Sequence, residues 1–266
     1  MTTMCVAGGT GRVGHEVVRL AVASGHKVSV LSRNSPPVGS PRHVDGAEYF
    51  EGNVTTGEGL PAALAGADVV IDCLEGQFGR ALKRFADGGA RLLAAAELAG
   101  ARKAVALSII NCDLTSFPYY SSKAAKERKY SGSNLQTVVV RATQFHSLVT
   151  GIFAAGAKVR VIPSIRGVSF QPISPADVAG VLLQSAVDNS PSEKHRMLTV
   201  AGPQVLTMRE MAQSWKSITG ARGSIIELPL PGSLGKFLRS GHNLSPEPPY
   251  GQETFVSWLE KRRESL

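Results

Sequence analysis

In the segment FPYYSSKAAKER, Tyr119 and Lys123 stand four residues apart, a separation that sets two side chains on one face of a helix. A lysine ammonium beside a phenol lowers the phenol's pKa, so Tyr119 is a candidate to protonate a carbonyl oxygen as a hydride reaches the carbon. Ser108, closing the run KAVALS, is a candidate to hold that oxygen. Tyr120, turned by about 100° to another face of an ideal helix, is the rival phenol. The same spacing also arises by chance, with the aromatic packed and the lysine solvated.

A second constellation lies near the start. CVAGGTGRVGHEVV carries glycines at 8, 9, 11 and 14, directly after an apolar run and directly before a helical pattern. Gly8, Gly11 and Gly14 satisfy GxxGxxG, and Gly9, Gly11 and Gly14 satisfy GxGxxG, with Thr10, Arg12 and Val13 between them. Such a turn lets backbone N–H groups approach a pyrophosphate, and the helix N-terminus adds partial positive charge. A strand before it, a helix after it and a second strand within one βαβ unit favour a dinucleotide site over a glycine turn with no ligand. The second strand ends in KVSVLSRN, where Ser32 and Arg33 replace the acid that would bind the ribose hydroxyls of NAD. With Arg12 nearby, a guanidinium there suits a 2′-phosphate, so NADP(H) is the expected cofactor; an ordinary surface arginine is the alternative for Arg33. Further along, Asn53 is expected at the adenine edge, Val54 on its ring, and Cys73 and Leu74 along the middle of the cofactor, unless Cys73 is simply a buried thiol.

These groups need a scaffold that gathers strand ends. β-rich runs at 4–7, 27–32, 47–50, 67–73, 103–108 and 137–141 alternate with helical stretches such as 80–99 and 122–130. The pattern predicts an α/β fold, a doubly wound parallel sheet with right-handed crossovers and its ligand at the carboxyl ends of the strands. Residues 1–143 form the expected cofactor-binding core of a single Rossmann-type domain, and 144–266 add a small substrate lobe. In that second part the pattern predicts helices at 145–155, 175–187, 208–218 and 254–263, and extended pieces at 158–163, 167–171 and 197–201. Thr207 and Gly220 cap the third of these helices. Trp215 and Trp258 read as packing residues, and His146 and His242 as polar surface rather than proton donors.

Composition narrows the function classes. The net charge is +8, but basic residues are scattered, with only short clusters such as Lys261-Arg262-Arg263; a small anionic ligand is expected rather than nucleic acid. Three cysteines and six histidines show neither a disulfide framework nor metal-ligand spacing. A reducing cytoplasm, no metal and no secretory leader are therefore the expectation. Lys158 and Arg160 interrupt the nearest apolar stretch, so no membrane partner is expected. The oligomeric state is left open.

GGTGRVG, YYSSKAAKE, VVVRATQFH, PISPADVA and TVAGP follow one another over nearly the whole chain, and in this order they resemble NmrA-like atypical short-chain dehydrogenase/reductases. The resemblance implies a Rossmann NADP(H) domain with a C-terminal substrate lobe and ties catalysis to Lys123. It places Thr143, Gln144 and Phe145 beside the nicotinamide and substrate, and makes Asp177 a structural support. The chain departs from typical short-chain dehydrogenases at SIINC, where no serine stands at the usual separation before YxxxK. The implied function is an NADPH-dependent reductase of a small carbonyl, quinone or aromatic substrate. Family members that bind the dinucleotide without catalysis make the alternative a redox sensor acting through a protein partner.

Overall fold

The computed structural model describes residues 1–190 and 193–264. In chain order its elements are β1 (Thr3–Ala7), α1 (Arg12–Ala23), β2 (Lys27–Ser32), β3 (Ala47–Glu51), α2 (Leu60–Leu64), β4 (Val69–Asp72), α3 (Gly79–Lys83), α4 (Phe85–Leu98), β5 (Lys103–Ile109), α5 (Pro118–Ser131) and β6 (Gln136–Ala142). There follow α6 (His146–Ala157), β7 (Val161–Ile165), β8 (Ser169–Phe170), α7 (Pro175–Val187), β9 (His195–Val200), β10 (Leu206–Thr207), α8 (Met208–Thr219), β11 (Ser224–Leu228), α9 (Gly232–Arg239) and α10 (Phe255–Glu264).

Seven strands make one sheet in the order β3-β2-β1-β4-β5-β6-β9. The expected doubly wound α/β architecture is what the chain adopts, and its order reverses between β1 and β4, the crevice where such sheets bind ligands. The register sets Ala7 opposite both Leu31 and Asp72. The segments that follow β1, β2 and β4 therefore leave the sheet side by side. Every residue of β4 is buried, as strands covered on both faces require. Edge strand β3 instead exposes Glu48 and Glu51.

The chain divides into two compact units. The first comprises Met1–Ser108, Pro118–Arg141 and Val178–Leu198. Its core gathers Cys5, Ala7, Val70, Leu92, Ala96 and Tyr130. The segment Val178–Leu198 falls within the expected C-terminal lobe, yet it packs with the first unit because β9 extends the main sheet beside β6. The stretch 80–99, expected as one helix, is two. The backbone breaks at Arg84 (φ −104°, ψ 9°), α3 buries nothing, and α4 turns Phe85 inward with Leu92, Leu93 and Ala96. Burying an aromatic at the head of α4 outweighs continuing an exposed helix.

The second unit comprises Ile109–Phe117, Ala142–Asp177 and Thr199–Leu266, with two small sheets, β10-β8 and β11-β7. Thr207 and Glu210 form a full capping box on α8, which Gly220 ends at φ +66°. Helix α9 has no counterpart in the sequence reading, because Gly232 and Gly235 depress helix propensity within GSLGKFLR. Gly235 is required there, since a Cβ would lie 1.7 Å from Leu230 O.

His146 is not at the surface as expected. It is fully buried, its ring 5.4 Å from Trp258 and 5.8 Å from Phe255 on α10, with Nε2 3.2 Å from Glu253 O. Burial pushes its pKa down to about 4. An unfolded chain binds that proton near pH 6.5 and the native one does not until about pH 4, so stability falls as pH drops through this window, by about 3 kcal/mol over its width. Urea unfolding at pH 7 and pH 5 checks this. His146→Leu should flatten the pH dependence, and an unchanged slope would contradict the assignment.

Candidate functional site

The glycine turn is built by steric necessity. Gly8 lies at φ +80°, its N–H donates to Leu31 O at 2.8 Å, and Gly11 N–H closes the turn on Gly8 O at 2.9 Å. A Cβ on Gly14 would lie 2.2 Å from Gly8 O, and one on Gly9 2.7 Å from Val30 Cγ1. Helix α1 then starts with no side-chain cap and no acid in its first turn, which leaves its N-terminus suited to an anion. Beneath it Val13, Val17, Val18 and Ala21 form the buried stripe that docks the helix on the sheet. The bare backbone and uncapped helix end fit the pyrophosphate of a dinucleotide.

Thr10 Oγ1 and Ser32 Oγ lie 2.9 Å apart, tying the turn to the end of β2. Arg12 and Arg33 are exposed there, while Glu51 from β3 accepts a hydrogen bond from Ser35 N–H. Asn53 Oδ1 accepts from Thr55 N–H in a local turn, so its carboxamide shapes its own loop. Arg91 grips that loop from α4 through the carbonyls of Val54 and Thr55, and Val54 rests against Gly88. Arg91 was not foreseen from the sequence. Cys73 is a buried thiol, pushed up to about 12 by burial and then by Asp72, hence unreactive; Leu74 beside it is half-buried.

The second constellation contains a residue that spacing did not reveal. Helix α5 begins at Pro118, and Tyr119 and Lys123 share one face as expected, but both reach Glu75, three residues beyond the end of β4. Tyr119 donates its O–H to Glu75 Oε2 at 2.6 Å, and Lys123 Nζ donates to Oε1 at 2.7 Å. Lys123 is 1% exposed and the Glu75 side chain 43%. The expected lowering of the phenol's pKa is reversed. Burial, and then the negative charge of Glu75, push Tyr119 well above the ordinary phenol range, because the carboxylate stands where the lysine alone was expected to act. Tyr120 is buried and meets Tyr119 edge-on. Ser108 is buried at the end of β5.

One helical turn farther along α5 the pattern repeats with Asp72, at the end of β4. Lys126 Nζ lies 2.6 Å from Asp72 Oδ2, Tyr130 O–H donates to the same oxygen at 2.7 Å, and Leu74 N–H donates to Oδ1. The Phe85 ring lies under both ammonium groups, 4.8 Å from Lys123 and 4.6 Å from Lys126. The two acids of IDCLEG and the run Tyr119, Lys123, Lys126, Tyr130 on one helix face were the available sequence signal.

In the second unit Thr143 Oγ1 donates to Gln171 O at 2.6 Å and accepts from Gly202 N–H. Gln144 is buried, its Oε1 3.3 Å from Asn243 Nδ2, and Phe145 precedes α6. Asp177 carries the structural role expected of it: Oδ2 accepts from the N–H groups of Gln252 and Glu253, fastening the segment before α10.

The family described as NAD(P)H-binding matches residues 8–189, which hold the whole glycine turn and both carboxylate clusters. The chain belongs to this family. Nicotinamide dinucleotide binding comes with that membership. Among solved structures, an NADPH-dependent quinone oxidoreductase of Escherichia coli in complex with NADPH has a TM-score of 0.79 at 16% identity, covering 98% of this chain and 99% of that one. Among curated proteins, the chloroplastic protein High Chlorophyll Fluorescence Phenotype 244 of Arabidopsis thaliana is 26% identical over 86% of this chain and 58% of its own length. A photosystem II assembly factor of Guillardia theta is 24% identical over 86% of this chain and 74% of its own. The chain thus spans little more than half of the first of these relatives. Among the described residues no helix is long and apolar enough to cross a membrane.

Proposed function

We propose that this NAD(P)H-binding protein is an NADPH-dependent reductase that reduces a small carbonyl, quinone or aromatic compound in a reducing compartment such as the cytoplasm. The observation that carries this reading is the cluster in which a phenol and an ammonium converge on Glu75 in the same unit as the glycine turn. When bound, the reduced nicotinamide supplies the hydride. The chain's own residues handle the proton. Tyr119, kept protonated by burial and by Glu75, passes its proton to an oxygen of the substrate once its hydroxyl turns from Glu75 to that oxygen, leaving a phenolate. Lys123 holds the Glu75 carboxylate in place, and the exposed part of Glu75 is the path by which solvent restores the proton.

The choice of NADPH is supported by Arg12 and Arg33, exposed beside Ser32 at the end of β2. Fluorescence titration should show NADPH binding at least about tenfold tighter than NADH, about 1.4 kcal/mol, and Arg33→Ala should remove most of that gap. Equal affinities in the unaltered protein would defeat the assignment. Consumption of NADPH with a panel of quinones and ketones tests the reductase itself. A second reading, an NADP(H)-binding protein that acts through a protein partner, is favoured by the name of one curated relative, a photosystem II assembly factor. Tight NADPH binding with no consumption across the panel selects it.

A further inference from the structure

The two carboxylate clusters share one helix and one aromatic ring, and their composition is matched. Tyr119 and Lys123 serve Glu75; Tyr130 and Lys126 serve Asp72. We propose that Lys126 is a positioning residue whose task is to occupy Asp72, so that Lys123 remains on Glu75. This inference rests on the reductase reading for its consequence in activity, and on geometry for its substance.

Asp72 is 0% exposed, at the end of a fully buried strand. A carboxylate in that position requires a cation, because an unpaired buried charge is strongly unfavourable. Two ammonium groups lie within reach of the Phe85 ring, three residues apart on α5, at 4.8 and 4.6 Å from its centroid. Lysine is a point charge on a flexible stem, so either can in principle answer Asp72. The partially exposed Glu75 is the weaker competitor for a lysine, since water already solvates it. Asp72 would therefore draw Lys123 away if it were not already filled.

The fold provides for this. Gly89 on α4 leaves room for the Lys126 stem, as a Cβ there would lie 3.0 Å from Lys126 Cγ and 3.2 Å from Cε. Tyr130 and the N–H of Leu74 complete the hydrogen bonding of Asp72. Burial lowers the pKa of Lys126, and Asp72 opposes that fall, which fits a charge retained through its partner.

The test is a cycle of Lys126→Met, Asp72→Asn and the double variant, read by crystallography and by NADPH consumption with a quinone. In Lys126→Met the Lys123 ammonium should lie on Asp72 and leave Glu75, with the rate at least about tenfold lower. In the double variant no buried carboxylate remains to attract it, so Lys123 should return to Glu75 and the rate recover to within about threefold of the unaltered protein. A purely structural role for Lys126 predicts no such exchange of partners. Should Lys126→Met not fold, Asp72→Asn alone gives the converse reading, with Lys126 turning to Glu75 and displacing Lys123. Lys123 found on Glu75 in Lys126→Met, a double variant no faster than the single, or Lys126 undisturbed in Asp72→Asn would overturn the proposal. If the unaltered protein reduces nothing, the reductase reading falls by itself, and the crystallographic position of Lys123 still decides this one.

Discussion

Gly14→Ala should weaken NADPH binding by at least about a hundredfold, about 2.7 kcal/mol. The sign is not what helix propensity gives. Alanine in place of glycine inside a helix is favourable by about 1 kcal/mol, so on local grounds the substitution would stabilise α1. Space decides otherwise. The new Cβ would lie 2.2 Å from Gly8 O, 2.8 Å from Gly8 C and 2.9 Å from Gly9 Cα, all backbone atoms of the turn itself. Relief requires that α1 back away from the turn, which moves the N–H groups of its first residues off the anion they are placed to meet. Gly151 provides the control. It also lies within a helix, α6, yet a Cβ there meets nothing within 4 Å. Gly151→Ala should leave binding unchanged and raise stability by up to about 1 kcal/mol. Parallel titrations and thermal melts of the two variants check both expectations, and undiminished affinity in Gly14→Ala would mean that the dinucleotide does not depend on this turn.

The contrast between these glycines also shows what a sequence can convey. The turn was legible because its spacing, the apolar strand before it and the helix after it all follow from short-range geometry. The parallel sheet followed for the same reason, since runs such as VVID and KAVALSI make sense only when covered on both faces. The partners of Glu75 were not legible. The paired acids of IDCLEG mark the place, but which lysine and tyrosine meet each of them depends on the register of β4 against its neighbours and on the approach of α5, which spacing does not give. Asp72 and Lys126 were hidden by the prior that charged residues are solvated, which here fails because the two are buried together. The reversal in the acidity of Tyr119 follows from the same omission. A lysine four residues away predicts a stronger acid; burial, and then a carboxylate three residues beyond the end of β4, make it a weaker one. His146 misled in a related manner: its neighbours Phe255 and Trp258 are more than a hundred residues along the chain, so only the folded unit shows that it is packed between aromatic rings.

Tyr119→Phe and Glu75→Gln should each reduce turnover with a quinone or ketone substrate by about a hundredfold or more, the usual contribution of a positioned proton donor. NADPH affinity should change by less than about threefold in either case, under 0.7 kcal/mol or roughly that. Tyr119→Phe preserves the ring that meets Tyr120 and removes only the O–H directed at Glu75. Glu75→Gln keeps the size of the side chain and removes the charge that Lys123 faces. Without that charge the phenol becomes more acidic than in the unaltered protein, because one of the two main causes of its upward shift is gone. If acidity of the phenol alone limited the rate, Glu75→Gln would therefore be faster. The proposed path through Glu75 requires the opposite, since an amide does not carry a proton between solvent and the phenol. The double variant discriminates further. Groups that act as one unit are not additive, so the pair should lose no more than the worse single change. A double loss equal to the product of the two single losses would mean that Tyr119 and Glu75 act separately, and full turnover in both singles would remove the cluster from the chemistry altogether.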